Sequence, residues 1–276
     1  MTSNSKKYSD LKQRVLAGVI GATLIVSGIF FSAWTFFAVF FIIAIFTMLE
    51  FYKLVAQEEV RPLKYWGAFL GMAIYTMVFL VQKGLLESKY YLLLFPVIAA
   101  MFLIKLYDER DRKPFSSIAF TVLGIVYVAV PMALLSIIAF SKGDYNPAII
   151  FGIIFLHWAS DTGAYFSGTA FGKTKLFERV SPKKSWEGSI GGGVLTVIVA
   201  LVLAYYFPSI SQLEWLLMAT IVVVAGNYGD LVESLFKRSI QIKDSGTIIP
   251  GHGGFLDRFD GLLISIPFIL ILFKLL

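Results

Sequence analysis

Apolar residues in this chain come in long unbroken runs. They show neither the alternation of a half-buried strand nor the narrow stripe of a surface helix. A membrane-spanning helix needs about 20 mostly apolar residues. Residues 15–51 are apolar almost throughout, too long for one such helix and enough for two, with a break near Ser32 to Trp34. Further runs cover residues 65–82, 90–106, 116–140, 148–168, 188–207, 213–230 and 259–275. The pattern predicts an all-α integral membrane protein with about nine transmembrane helices. The first run follows a polar start, MTSNSKKYSDLKQR, and lacks the short apolar core and small-residue cleavage site of a signal peptide. It reads as a retained helix.

The segments between the runs set an orientation. With the N-terminus in the cytoplasm, segments on that side hold 20 of the 24 Lys and Arg residues. The other side holds Lys83, Lys89, Lys142 and Lys274. Basic residues collect on the cytoplasmic side of membrane proteins, so the split supports both the helix count and a cytoplasmic N-terminus. The expected location is a membrane that the chain crosses several times, with the polar C-terminal segments on its cytoplasmic side.

Composition agrees. The 276 residues are 58% hydrophobic and 15% charged, against about 25% charged in soluble domains, and the mean hydropathy is +0.78. A net charge of +6 would suggest nucleic acid in a soluble protein. Here membrane orientation accounts for it, so the expected partner is the lipid bilayer and no nucleic acid. With no cysteine, disulfides and cysteine-ligated metals are excluded.

The chain divides in character. Residues 1–150 form an apolar, aromatic set of scaffold helices with few ionisable groups, and residues 151–276 form the catalytic region. Gly67-x-x-x-Gly71 and Gly188-x-x-x-Gly192 are small-residue pairs that allow close helix packing. The mixed-sign run YDERDRK at 107–113 reads as a solvated loop. From His157 onward polar groups recur at helical spacing. His157, Asp161 and Tyr165 share a face, and a basic loop follows with Lys173, Lys175, Arg179, Lys183 and Lys184 ahead of Ser185 and Glu187. Asp230, Glu233 and Lys237 then come at another helix end, and Asp257 and Asp260 at the start of the last. The helix count used none of these carboxylates. Yet Asp161, Ser185, Glu187, Asp230, Asp257 and Asp260 all fall near cytoplasmic helix ends, where they could converge on one polar site.

Carboxylates without cysteine favour a hard cation, Mg²⁺ above all, which one or two carboxylates hold together with substrate phosphates. Lys and Arg suit phosphate charge. Gly251, Gly253 and Gly254 around His252 permit close backbone approach. Together these point to phosphoryl or nucleotidyl transfer onto a lipid. GTAFGKT at 168–174 is not a Walker A loop, because it has three residues between its glycines instead of four and follows a membrane helix.

The stretch from Ser234 to Asp260, SLFKRSIQIKDSGTIIPGHGGFLDRFD, resembles the signature of the phosphatidate cytidylyltransferases (CDP-diacylglycerol synthases) in its S-x-x-K-R, K-D, P-x-H-G-G and D-R-x-D elements. DTGAYFSG at 161–168 and SPKKSWEG at 181–188 also resemble that family, with Ser185 where a threonine is common; residues 1–150 match in hydropathy only. The resemblance implies a Mg²⁺-dependent reaction of CTP with phosphatidic acid, giving CDP-diacylglycerol and pyrophosphate. Carried onto this sequence, it assigns catalysis to Asp230, Lys243, Asp244, His252 and Asp257. Asp230 and Asp257 are expected to hold the metal, with Asp260 or Asp161 as a further ligand or behind it. Lys183, Lys184, Ser185, Lys237, Arg238 and Arg258 are expected to bind substrate. His252 either bonds a phosphate, shuttles a proton or is purely structural, and Glu233 with Lys237 makes an ordinary i,i+4 pair. A homodimer is compatible with the family and with the small-residue pairs. The rival readings are a CTP-dependent enzyme with a polyprenol or another lipid acceptor, and a cation-coupled transporter. Transporters gather ionisable residues near the midplane in related halves, unlike the clustering here.

Overall fold

The structure is a computed structural model. It describes residues 2–56, 60–242, 245–246 and 253–276, with side chains from residue 14 onward. Nine helices occur among the described residues: α1 (Thr2–Phe31), α2 (Ala33–Val55), α3 (Lys64–Gln82), α4 (Ser88–Leu106), α5 (Pro114–Ala139), α6 (Pro147–Phe171), α7 (Trp186–Tyr206), α8 (Gln212–Ser239) and α9 (Leu256–Leu275). Eight of them, all but α9, are long and apolar enough to cross a membrane. The protein is therefore an all-α, multi-pass membrane protein. The large apolar side chains exposed along α1, such as Leu16, Leu24 and Phe31, have hydrocarbon as their natural surroundings.

Local chemistry sets the breaks. Ser32 splits the long first run by a reciprocal cap: Thr35 N donates to Ser32 Oγ at 3.1 Å, and Ser32 N donates to Thr35 Oγ1 at 2.9 Å. Ser211 and Glu214 make the same cap at the start of α8. Asn146 caps α6, whose first residue is Pro147.

The chain forms two compact units. One comprises Met1–Ala133 with Asp244–Arg258, the other Leu134–Lys243 with Phe259–Leu276. In the first, Tyr52 is fully buried against Gly67 and Gly124, and its hydroxyl donates to Thr121 O at 2.7 Å. Gly71 packs on Met48 and Ala129, so the Gly67–Gly71 pair serves close packing as expected. The run at 107–113 is more than a solvated loop. Lys105, with 2% of its side chain exposed, bonds Asp111 at 2.6 Å, Asp108 at 3.0 Å and Arg61 O at 2.8 Å.

In the second unit, Gly188 and Gly192 of α7 lie against Ala164, Gly168 and Ser160 of α6. A short antiparallel hairpin of β1 (Lys175–Phe177) and β2 (Ser181–Ser185) joins these helices where the sequence reading expected a plain basic loop. The α6 helix continues to Phe171, so Gly168, the first glycine of the Walker-like run, is helical, and Gly172 follows as the extended residue that ends the helix.

Candidate active site

The second unit brings together most of the polar residues expected to act. Ser185 closes β2 and caps α7, its Oγ accepting from Gly188 N at 3.2 Å. Glu187, in the first turn of α7, reaches back to the chain leaving α6, where Lys173 N and Thr174 N donate to it at 3.1 Å. These bonds hold the hairpin at the helix end. The two adjacent lysines of β2 differ in setting: Lys183 is exposed, while Lys184 is half-buried and pairs with Asp230 of α8.

A π turn at Val222–Gly226 sets the rotation of α8 just ahead of Asn227 and Asp230. Gly226 in that turn faces the His157 ring, and His157 Nε2 lies 2.9 Å from Ser265 Oγ of α9. At Gly229 the backbones of α8 and α9 meet so closely that a methyl group would fall 2.7 Å from Asp260 O and Gly261 Cα. Only glycine fits there, and the close approach has a chemical result. The side chains of Asp260 and Asp230 come near enough to act on each other, and Glu233 is near enough to act on Asp260 electrostatically. Glu233 pairs with Lys237 at 2.6 Å, the expected i,i+4 pair. Arg238 Nη1 donates to Ile242 O at 3.1 Å.

Among the described residues Lys184 pairs with Asp230 and Lys237 with Glu233, and Asp260 adds a third carboxylate beside them. Two acidic side chains in mutual contact need a proton or a cation between them. Among the described residues no three His, Cys, Asp or Glu side chains form a ready cage for a metal. A pair of carboxylates next to room for phosphate is the arrangement that suits Mg²⁺, which keeps waters and substrate oxygens as its other ligands. That room exists. A pocket of about 220 Å³ is lined by Asp161, Lys183, Lys184, Ser185, Asn227 and Asp230, among others. Beside it, and sharing Ser189 and Asn227, lies an apolar hollow of about 570 Å³ lined by Trp186, Ile190, Val223, Tyr228 and Leu231 among others.

The first unit carries the described residues of the signature stretch between Ser245 and Arg258. Asp257 accepts from Ser245 N at 3.1 Å and from Gly254 N at 2.9 Å, and Gly253 adopts a φ of 81°, which favours glycine. Arg258 is exposed. Lys243, Asp244 and His252 lie outside the described residues. One acidic residue in this unit escaped the sequence reading. Glu50, on α2, is buried and accepts from Ser245 Oγ at 2.5 Å and from Phe255 N at 2.7 Å. Its signal was present, since it is the one acidic residue of the apolar run 15–51.

Residues 12–276 match the Cytidylyltransferase family. The chain belongs to that family. Among cytidylyltransferase relatives, the phosphatidate cytidylyltransferase of Bacillus subtilis (strain 168) is 35% identical, the match covering 96% of this chain and 98% of the relative. The phosphatidate cytidylyltransferase of Haemophilus influenzae is 32% identical, over 94% and 96% of the two chains. That of Staphylococcus haemolyticus is 30% identical, over 95% and 98%. This chain is thus an enzyme of the cytidylyltransferase family built on membrane helices.

Proposed function

We propose that this enzyme transfers the CMP group of CTP to phosphatidic acid, giving CDP-diacylglycerol and pyrophosphate, with Mg²⁺ and at the cytoplasmic face of a bacterial inner membrane. The supporting observation is a pocket lined by Lys183, Lys184, Asp161 and Asp230 directly beside an apolar hollow. It offers a place for phosphates next to a place for lipid. The names of the relatives support the choice of phosphatidate, and the Lys and Arg split along the sequence supports the cytoplasmic side.

The chemistry asks little of the protein beyond placement and charge. A phosphate oxygen of phosphatidate attacks the α-phosphorus of CTP, a P–O bond forms, and the bond to the β-phosphate breaks with its electron pair leaving on pyrophosphate. The attacking phosphate is already ionised near pH 7, so no strong base is needed, and catalysis reduces to alignment and neutralisation. Lys184 and Lys183 bring positive charge to the pocket, and the Ser185 hydroxyl and Asn227 amide add polar contacts at its wall. Asp230 and Asp260 would hold the Mg²⁺, whose charge offsets that of the transferred phosphate and the leaving group. Asp161 faces the same pocket as a further carboxylate. The Asp230 partnership of Lys184 would give way on ion binding and free the ammonium group for phosphate.

The test is product formation by purified protein in phosphatidate micelles with CTP, with Mg²⁺ or EDTA, for wild type, Asp230→Asn and Asp257→Asn. CDP-diacylglycerol should appear with wild type and Mg²⁺ and fall at least a hundredfold with EDTA or Asp230→Asn. Persistence in Asp257→Asn would take that residue out of the reaction. No product from phosphatidate would send the reading to another lipid acceptor.

A further inference from the structure

The scaffold helices place one acidic group where the reaction above has not used it. Glu50 stands near the end of α2, 4% exposed. Its Oε1 accepts from Ser245 Oγ at 2.5 Å, and its Oε2 accepts from Phe255 N at 2.7 Å and Leu256 N at 3.4 Å. One turn earlier on α2, Phe46 stacks on the Phe255 ring, with centroids 5.3 Å apart and planes at 16°. A methyl group on Gly246 or Gly254 would collide with the Glu50 carboxylate. Both glycines therefore leave the space this side chain fills. A carboxylate is costly to bury unless its lone pairs are met by donors, and three donors meet it here, all from the signature stretch.

The same short segment serves a second carboxylate. Ser245 gives its hydroxyl to Glu50 and its backbone N–H to Asp257. Gly254 N donates to Asp257, and the next two amides donate to Glu50. Glu50 thus grips the backbone that in turn holds Asp257. The geometry points to Glu50 as a positioning residue: through Ser245, Phe255 and Leu256 it fixes where the signature stretch presents Asp257. It touches no substrate itself. The inference rests on the phosphatidate cytidylyltransferase reading for its kinetic readout, and on hydrogen exchange for one independent of it.

The test uses the full-length protein in detergent, with turnover of CTP and phosphatidate and hydrogen–deuterium exchange over residues 245–260. Glu50→Ala leaves Ser245 Oγ and two backbone amides without their acceptor. Exchange in that segment should quicken about tenfold or more. The kcat should fall about tenfold to hundredfold, as for small misplacements of reacting groups, with the KM for CTP changed less than threefold. Glu50→Gln can still accept from Phe255 N through its oxygen while its amide donates to Ser245 Oγ, so it should recover much of the protection and of the kcat lost in Glu50→Ala. Ser245→Ala removes one of the three donors and should lose kcat severalfold. If Glu50→Ala fails to fold, the Gln and Ser245→Ala variants decide by the same two readouts. A kcat within twofold of wild type in Glu50→Ala, or unchanged exchange in that variant, overturns the inference, as does a Ser245→Ala protein that matches wild type in both. If the wild type makes no CDP-diacylglycerol, the functional reading fails instead, and exchange alone judges the role of Glu50 in holding the segment.

Discussion

Replacing Asp260 by asparagine separates the two effects of this carboxylate. Asp260 stands beside Asp230, with Glu233 close by, and accepts from Gly261 N at 2.7 Å. Asparagine keeps the oxygen that meets Gly261 N and loses only the charge. Two unit charges about 4 Å apart repel by about 4 kcal/mol at an effective dielectric of about 20. Lys184 on Asp230 and Lys237 on Glu233 already offset much of this, which leaves about 1–2 kcal/mol of repulsion for Asp260→Asn to relieve. At about 2–4 °C per kcal/mol for a chain of this size, the variant in EDTA should melt about 2–8 °C above wild type. The order should reverse with Mg²⁺. An ion at a hundred times its Kd stabilises its site by about 2.7 kcal/mol, and the variant should gain little of that. Thermal unfolding of both proteins in detergent, with EDTA and across a Mg²⁺ series, measures each effect. A variant that melts lower in EDTA, or one that Mg²⁺ stabilises as much as wild type, would falsify the placement of the ion at this carboxylate pair.

Two further outcomes follow from other contacts. Lys184→Met should lower kcat/KM for CTP about a hundredfold, the scale of losing one well-placed charge donor, while Lys183→Met, which removes a more exposed lysine of the same pocket, should cost about tenfold less; equal losses in steady-state assays would contradict the greater part given to the lysine that pairs with Asp230. At the buried Lys105 cluster, burial alone would raise the Asp111 carboxyl, but hydrogen bonds from Lys105, Ser117 and Lys113 N outweigh it and hold Asp111 below the ordinary carboxylate range. A depressed folded value adds stability above the unfolded value of about 4 and loses it as pH falls through the folded one. Asp111→Asn should therefore cost about 2–3 kcal/mol near pH 7, less than a fully broken buried pair because Asp108 remains at 3.0 Å. The gap to wild type should narrow below about pH 4, and a gap that widens on acidification would contradict the assignment.

The helices were legible because a bilayer tolerates few alternatives. A run of twenty apolar residues has one satisfied backbone conformation there, and Ser32 marks its break in the sequence as in the structure. The acidic and basic residues of the C-terminal half were legible for a related reason: ionisable groups are too costly among membrane helices to be placed idly. The hairpin at 175–185 was not, since its strands are short, polar and charged and carry no alternation of apolar residues. Glu50 was passed over because one carboxylate within an apolar run gives no periodic signal, and its partners lie about 200 positions away in sequence. The contact of Asp230 with Asp260 needed Gly229 and Gly261 to be read as a pair across two helices, which spacing along one helix does not reveal.

The π turn at Val222–Gly226 gives α8 one residue of slack. Each residue of a regular helix turns the chain by about 100°, and a π turn carries about one residue more than a regular turn. Excising a single valine there would let the helix relax to ordinary pitch and leave Asn227, Asp230 and Glu233 close to their present faces. Excising Tyr228 from the regular turn that follows would instead swing Asp230 about a quarter-turn away from Lys184 and Asp260. Length is therefore forgiving at the π turn and strict just beyond it. Shortening α8 by one residue at Val222–Val224 should yield active protein, whereas the same loss at Tyr228 should yield an intact helix with the carboxylates aimed elsewhere.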